Sequence, residues 1–154
     1  MLNRALHTLT IVLEKIGTSI PVTRSAALNE RNYGDLQGLN KTDVEKQYGT
    51  KQLDLWRRSY DVAPPNGESL EDTYNRVVPY YTIEIEPQLK VGKNVLIVAH
   101  GNSLRALMMH LENISPKEIA NINIATGVPR LYTFSADMSL TDAHYLANAA
   151  PEPK

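Results

Sequence analysis

Apolar residues recur along most of this chain at the spacing of helices, with short apolar runs between them. The helical pattern predicts helices near residues 2–16, 42–48, 53–60, 69–89 and 103–112, and a short one after Ser115, where Ser-Pro-Lys-Glu has the form of a capping box. The apolar runs predict strands over 18–23, 95–99, 130–134 and 143–146. Because helices alternate with strands, we expect an α/β domain with a mainly parallel sheet.

Two of these helices carry irregular features. The first begins almost at residue 1 and has no capping residue in front of it. Pro79 lies inside the fourth and is expected to kink or split it, because proline lacks a backbone N–H. The polar segments 25–40 and 63–69 show no period and predict irregular loops.

The run from Val95 to Arg105 suggests a place for chemistry. Five apolar residues, Val95 to Ala99, have the composition of a strand buried on both faces, and His100 and Gly101 follow before a helical pattern begins. Ligands of α/β sheets bind at the carboxyl ends of strands, and helix N-termini favour anions. The run therefore predicts a small anion, such as phosphate, met by His100.

Composition adds limits rather than a function. The 154 residues, 42% hydrophobic and 21% charged, predict one domain over residues 1–147 and a disordered tail over 148–154. A net charge of −1 does not indicate binding to nucleic acid or to an anionic membrane surface. No apolar run approaches the length that a membrane-spanning helix needs. Cysteine is absent, which excludes disulfide and thiolate chemistry, and the cytoplasm is the expected compartment. No His or carboxylate pair has metal-ligand spacing, so no metal is expected.

Two further polar segments allow two interpretations each. The loop LNERNYGDLQG, from Leu28 to Gly38, is either a hydrophilic surface loop or a site where a carboxylate, a guanidinium and a phenol act beside an anion. If Glu30 acts there as an acid near neutrality, its surroundings must raise its pKa. The adjacent Arg57 and Arg58 fit either a solvated helix face or capture of phosphate.

Taken together, these segments resemble the cofactor-dependent phosphoglycerate mutases of the histidine phosphatase superfamily. The resemblance covers most of the chain and is carried by LNRALHT, LNERNYGDLQGLNK, WRRSYDVAPP, AHGNSLRAL and ATGVP. It implies a three-layer α/β/α fold and interconversion of 2- and 3-phosphoglycerate, primed by 2,3-bisphosphoglycerate. The implied partner is a small phosphorylated substrate.

The same resemblance assigns roles to individual residues. Glu30 matches the proton donor and acceptor, and His100 matches the active-site histidine that stabilises the phosphoryl group in flight. The positions matching substrate contacts are Arg4, Arg31, Asn32, Tyr33, Lys41, Arg57, Arg58, Gly101 and Asn102. Asn32 stands where many relatives have histidine, a change that we expect to be tolerated.

One part of the family pattern has no counterpart in these residues. The family's nucleophile is a histidine in an Arg-His-Gly motif, and the His100–Gly101 pair matches the other histidine. We therefore expect a domain truncated at its N-terminus, which forms no phosphohistidine by itself. A sheet without a central strand would also expose apolar edges, so we expect low stability or self-association.

Two alternatives stay open at this point. One is a broad-specificity phosphatase of the same superfamily, although LNERNYG and WRRSYD resemble the mutase branch. The other is a non-catalytic chain that binds phosphorylated metabolites or a full-length relative.

Overall fold

The computed structural model describes residues 2–146. The predicted tail, 148–154, and the last residue of the predicted domain lie outside the described residues. The described helices are α1 (Asn3–Ile16), α2 (Lys41–Tyr48), α3 (Thr50–Arg58), α4 (Leu70–Tyr80), α5 (Glu86–Lys90), α6 (Gly101–Leu111) and α7 (Pro116–Ile119), and the strands are β1 (Arg130–Phe134) and β2 (Leu140–Tyr145). Short 3₁₀ turns lie at Ala26–Leu28 and Gly34–Leu36, and a π-helical turn at Tyr81–Ile85.

The predicted helices are confirmed, with most ends within about three residues of the prediction. Helix α1 starts after Leu2 without a side-chain cap, and Gly17 ends it in a left-handed conformation with its N–H donating to the carbonyl of Leu13. Ser115 and Glu118 form the predicted capping box of α7. Local signals were sufficient here because caps and periodicity act over a few residues.

Pro79 marks a change of helical winding rather than a break. It lies near the end of α4, and the chain continues through the π-helical turn Tyr81–Ile85 directly into α5. Because proline has no N–H, the helix loses one hydrogen bond at this point. The π turn nevertheless keeps Tyr81 and Ile85 buried, so the apolar face stays continuous.

The main core lies between α4 and α6. Its fully buried members include Leu70, Val77, Ala106 and Ile119. A second, smaller core lies under α2 and α3, and its buried members are Leu36, Val44, Leu53 and Trp56. The irregular segments between these cores carry the polar residues of interest.

The sheet differs from the prediction. Among residues 2–146 the only sheet is a two-stranded antiparallel hairpin of β1 and β2, with Arg130 opposite Tyr145. The strands predicted over 18–23 and 95–99 are wrong for this structure, because within the described residues 2–146 neither run has a hydrogen-bonded partner strand. Val95 and Leu96 are 39% and 50% exposed, so the run is also not buried on both faces. A parallel strand depends on neighbours distant in sequence, which its own composition cannot supply.

None of the helices within residues 2–146 has the length and apolar character that crossing a membrane requires.

Candidate active site

The irregular segments 25–40 and 63–69 form two loops that are hydrogen-bonded to each other, and together they make the floor of the candidate site. The N–H of Asp35 donates to the carbonyl of Pro65 (3.0 Å), and the N–H of Glu68 donates to the carbonyl of Asn32 (2.8 Å). Gly34 has a φ of 54°, and a Cβ there would overlap the carbonyl oxygen of Pro65. Only glycine lets the two backbones come this close. Gly34 in the first loop and the Pro-Pro-Asn-Gly stretch of the second therefore determine how the loops meet.

An ion pair between Glu68 and Arg76 holds the loop around Glu30 against α4. The Arg76 guanidinium donates to Glu68 through Nε (2.9 Å) and also to the carbonyls of Ala27 (2.6 Å), Asn29 (3.0 Å) and Glu30 (3.1 Å). Burial raises the pKa of Glu68, but the hydrogen bonds from Arg76 and from the backbone outweigh it and lower that pKa. Arg76 therefore sets the path of the loop into the site.

Glu30 lies at the N-terminus of α6. Its Oε1 accepts hydrogen bonds from the backbone N–H groups of Arg31 (2.8 Å) and Asn102 (3.2 Å). The anion at the helix start in this structure is the chain's own Glu30 carboxylate, whereas the sequence predicted a ligand anion at this place. These two hydrogen bonds hold the Glu30 carboxylate in place beside His100, the residue that precedes α6.

His100 is 6% exposed and is paired with Arg4 of α1. Arg4 donates through Nε to Nδ1 of the imidazole at 3.1 Å. Burial and the Arg4 charge lower the pKa of His100, against an opposing effect of Glu30. The ring is therefore neutral at pH 7, and because Nδ1 accepts a hydrogen bond, its proton is on Nε2.

Arg31 is a buried cation without a counter-charge. Only 2% of it is exposed, its Nε has no hydrogen-bond partner, and within residues 2–146 no carboxylate forms an ion pair with it. Its guanidinium lies over the ring of Tyr33, 4.8 Å from the centroid. A buried, unpaired charge is costly, so such a group indicates a place prepared for an anion.

A second arginine, Arg105, reaches the same region from α6. It donates through Nη1 to Oδ1 of Asn102 (3.1 Å), and Nδ2 of Asn102 donates to the Tyr33 hydroxyl (3.0 Å). Burial and, after it, the charge of Arg31 lower the pKa of Arg105, and Arg58 acts in the same direction. The positive charge of Arg31, Arg58 and Arg105 is thus concentrated in one place.

The structure brings together most of the residues selected from the sequence. Contacts join Arg4 to His100, Glu30 to Arg31 and Asn102, and Asn102 to Tyr33; Gly101 faces the Glu30 carboxylate at 3.9 Å from its ideal Cβ position. The carboxamide of Asn32 turns back to accept from the N–H of Gly34 (2.9 Å). Lys41 lies at the start of α2 and Arg57 at the end of α3, and neither side chain takes part in the hydrogen bonds described within residues 2–146.

Sequence reasoning missed the residues that act behind these groups. Arg105 could have been found, because it follows Asn102 by three positions and so shares its helix face. Arg76 and Glu68 carry no local signal, since the loop that Arg76 holds is more than 40 positions away in sequence.

Comparisons with known proteins show the family to which the chain belongs. Residues 1–138 match the family model of the histidine phosphatase superfamily, branch 1. A 2,3-bisphosphoglycerate-dependent phosphoglycerate mutase of Cytophaga hutchinsonii is 62% identical over 95% of this chain and 68% of its own length. The protein of the same name from Afipia carboxidovorans is 54% identical over 95% and 71%.

Solved structures share the fold at lower identity. YhfR of Bacillus stearothermophilus aligns with a TM-score of 0.76 and 23% identity, over 94% of this chain and 68% of that one. A mycobacterial glucosyl-3-phosphoglycerate phosphatase aligns with a TM-score of 0.71 and 25% identity, over 94% and 72%. The chain belongs to the histidine phosphatase superfamily and, within it, to the family of the 2,3-bisphosphoglycerate-dependent phosphoglycerate mutases.

Proposed function

We propose that this chain supplies the substrate-binding and acid–base part of a phosphoglycerate mutase, which interconverts 2- and 3-phosphoglycerate. The observation that carries the proposal is the buried, unpaired guanidinium of Arg31 beside Glu30 and His100. The identity of 62% to a relative named as a mutase supports the mutase over a phosphatase, since the phosphatase structures are near 25%.

The chemistry follows from what each group can donate or accept. Phosphoglycerates carry a phosphate and a carboxylate, and arginine is suited to hold both because its planar fork matches their oxygens. Glu30 would move a proton to or from the substrate hydroxyl that gains or loses the phosphoryl group. The Nε2–H of His100 would donate to a phosphoryl oxygen, where negative charge is concentrated during transfer.

The residues present also fit 2,3-bisphosphoglycerate. The unsatisfied Nε of Arg31 is a buried donor of the kind that a second phosphate would satisfy. The further residues that we propose to hold this compound are Arg4, Lys41, Arg57, Arg58, Gly101 and Asn102. When bound, this compound would supply the phosphoryl group that primes the enzyme. Asn32 would contribute through its backbone and the loop it stabilises.

The 154 residues contain no Arg-His-Gly motif, so the family's phosphoryl-accepting histidine has no counterpart among them. We propose that this chain does not turn over phosphoglycerate by itself. The runs 18–23 and 95–99 would become strands of a parallel sheet, in the three-layer arrangement of the family, once a further strand pairs with them. The proposed compartment is the cytoplasm.

Binding can be tested without turnover. Titration of the 154-residue chain with 3-phosphoglycerate, followed by calorimetry, should give saturable binding, whereas D-glycerate, which has the carboxylate but lacks the phosphate, should bind at least about tenfold more weakly. Equal affinity for the two ligands, or binding of neither, would contradict the proposal.

A further inference from the structure

Arg105 connects the apolar side of α6 to the polar site. Its Nη2 donates to the carbonyl of Ile119 (2.5 Å), and its Nη1 donates to Oδ1 of Asn102 (3.1 Å). Both bonds hold the guanidinium in one orientation. Within residues 2–146 no carboxylate pairs with Arg105, and its Nε is buried without a partner.

Arginine can only donate hydrogen bonds, and this decides how the Asn102 amide is turned. Oδ1 must face Arg105, so Nδ2 must face the Tyr33 hydroxyl, which lies 3.0 Å away. The Tyr33 oxygen therefore accepts a hydrogen bond from Nδ2, and its own proton must point elsewhere. Within the described residues no acceptor receives that proton, so the hydroxyl is left as a donor on a ring whose face lies against the Arg31 guanidinium.

We propose that Arg105 is a positioning residue of the anion site: by fixing the amide of Asn102, it turns the Tyr33 hydroxyl into a donor toward the bound anion. The positive charge of Arg105 also adds to that of Arg31, so that a buried cation supports the Tyr33 hydroxyl in binding an anion. This proposal rests on the proposed function, because the anion it serves is the phosphoglycerate.

A double-mutant cycle tests the connection between Arg105 and Tyr33. In the 154-residue chain, Arg105→Met and Tyr33→Phe should each weaken binding of 3-phosphoglycerate about fivefold to tenfold. In the Arg105→Met background, Tyr33→Phe should weaken it less than about twofold, because the hydroxyl is no longer held as a donor. Arg105→Lys keeps the charge and one donor and should recover part of the affinity.

Arg130→Met is the matched control for loss of a half-buried arginine. Arg130, on β1, is paired with Glu112 at 2.7 Å, and its described contacts include no residue of the site. Its loss should therefore lower the melting temperature without changing the affinity. If Tyr33→Phe has the same effect in both backgrounds, the proposed link is wrong. If Arg105→Met changes only the melting temperature, as Arg130→Met does, the role of Arg105 is structural.

A second readout needs no ligand. NMR can follow the exchange of the Asn102 side-chain N–H₂ protons with water. The exchange should be slow in the unmodified chain and rapid in Arg105→Met, because the amide is then free to turn. Equal exchange would overturn the proposal. Failure of the unmodified chain to bind 3-phosphoglycerate would contradict the proposed function instead, while the NMR result would still decide whether Arg105 sets the amide.

Discussion

At the scale of single residues, the site is defined by two arginines that form no ion pair within the described part of the chain. Arg31 and Arg105 are held inside the protein by packing and by neutral groups, and within residues 2–146 neither forms an ion pair with a carboxylate. The sequence predicted Glu30, His100 and Arg31 because they stand in compact motifs. It could not predict that Arg31 is 2% exposed, since burial depends on how α6 and the loop pack together.

The state of His100 leads to a pH prediction. Burial and Arg4 lower the pKa of His100 in the folded chain below its ordinary value of 6.5, with Arg76 acting the same way and Glu30 opposing. Between the folded and unfolded pKa values the unfolded chain binds more protons, so the free energy of unfolding rises with pH and levels off above 6.5.

Urea unfolding of the wild-type chain and of His100→Gln, from about pH 5 to about pH 8, measures this contribution. The wild type should gain stability over the variant as the pH rises toward 6.5, and the difference should then stay constant. Two curves that remain parallel over the whole range would show that His100 does not titrate as described.

At the scale of elements, helices were predictable and pairings were not. The capping box of α7 and the glycine end of α1 are local, and both were confirmed. The interlock of the two loops involves residues about 30 positions apart, and only the glycines at 34 and 67 hint at it. The position of Glu30 depends on this contact between the loops, because Glu30 lies only two residues before Asn32, where the contact begins.

Gly34→Ala tests the interlock, with Gly38→Ala as its control. Both glycines have positive φ, 54° and 78°, so both substitutions carry the strain of a left-handed alanine, about 1 kcal/mol. At Gly38 the new Cβ meets nothing within 4 Å, whereas at Gly34 it overlaps the Pro65 carbonyl. Gly34→Ala should therefore lower the free energy of unfolding by about 3 kcal/mol or more.

Chemical denaturation of the two variants supplies the comparison. Similar losses at both positions would mean that the loops can separate at little cost, and that the floor of the site is not fixed by the backbone contact.

At the scale of the whole molecule, the structure leaves apolar segments uncovered. Ile20 and Val22 in the first run, and Val95 and Leu96 in the second, are between 39% and 50% exposed, and none of α1 is buried. The α/β class was predictable from alternating helices and apolar runs. The strand pairing was not predictable, because it joins segments far apart in sequence; within residues 2–146 neither run is paired with a strand.

These uncovered runs predict self-association of the 154-residue chain. Unpaired strand-like segments and exposed apolar side chains favour contacts between copies. Sedimentation velocity should show a species that grows with concentration, and Val22→Lys with Leu96→Lys should reduce it. A single monomeric boundary at every concentration would contradict the prediction.

The central claim is that Arg31 stands unpaired because it holds the phosphate or carboxylate of a phosphoglycerate. Calorimetric titration of 3-phosphoglycerate into Arg31→Met and Arg24→Met tests it most directly, since both variants lose one arginine charge and Arg24 is exposed and outside the site. Arg31→Met should weaken binding at least about tenfold, while Arg24→Met should stay within about twofold of the unmodified chain. Equal affinity of the two variants would contradict the account.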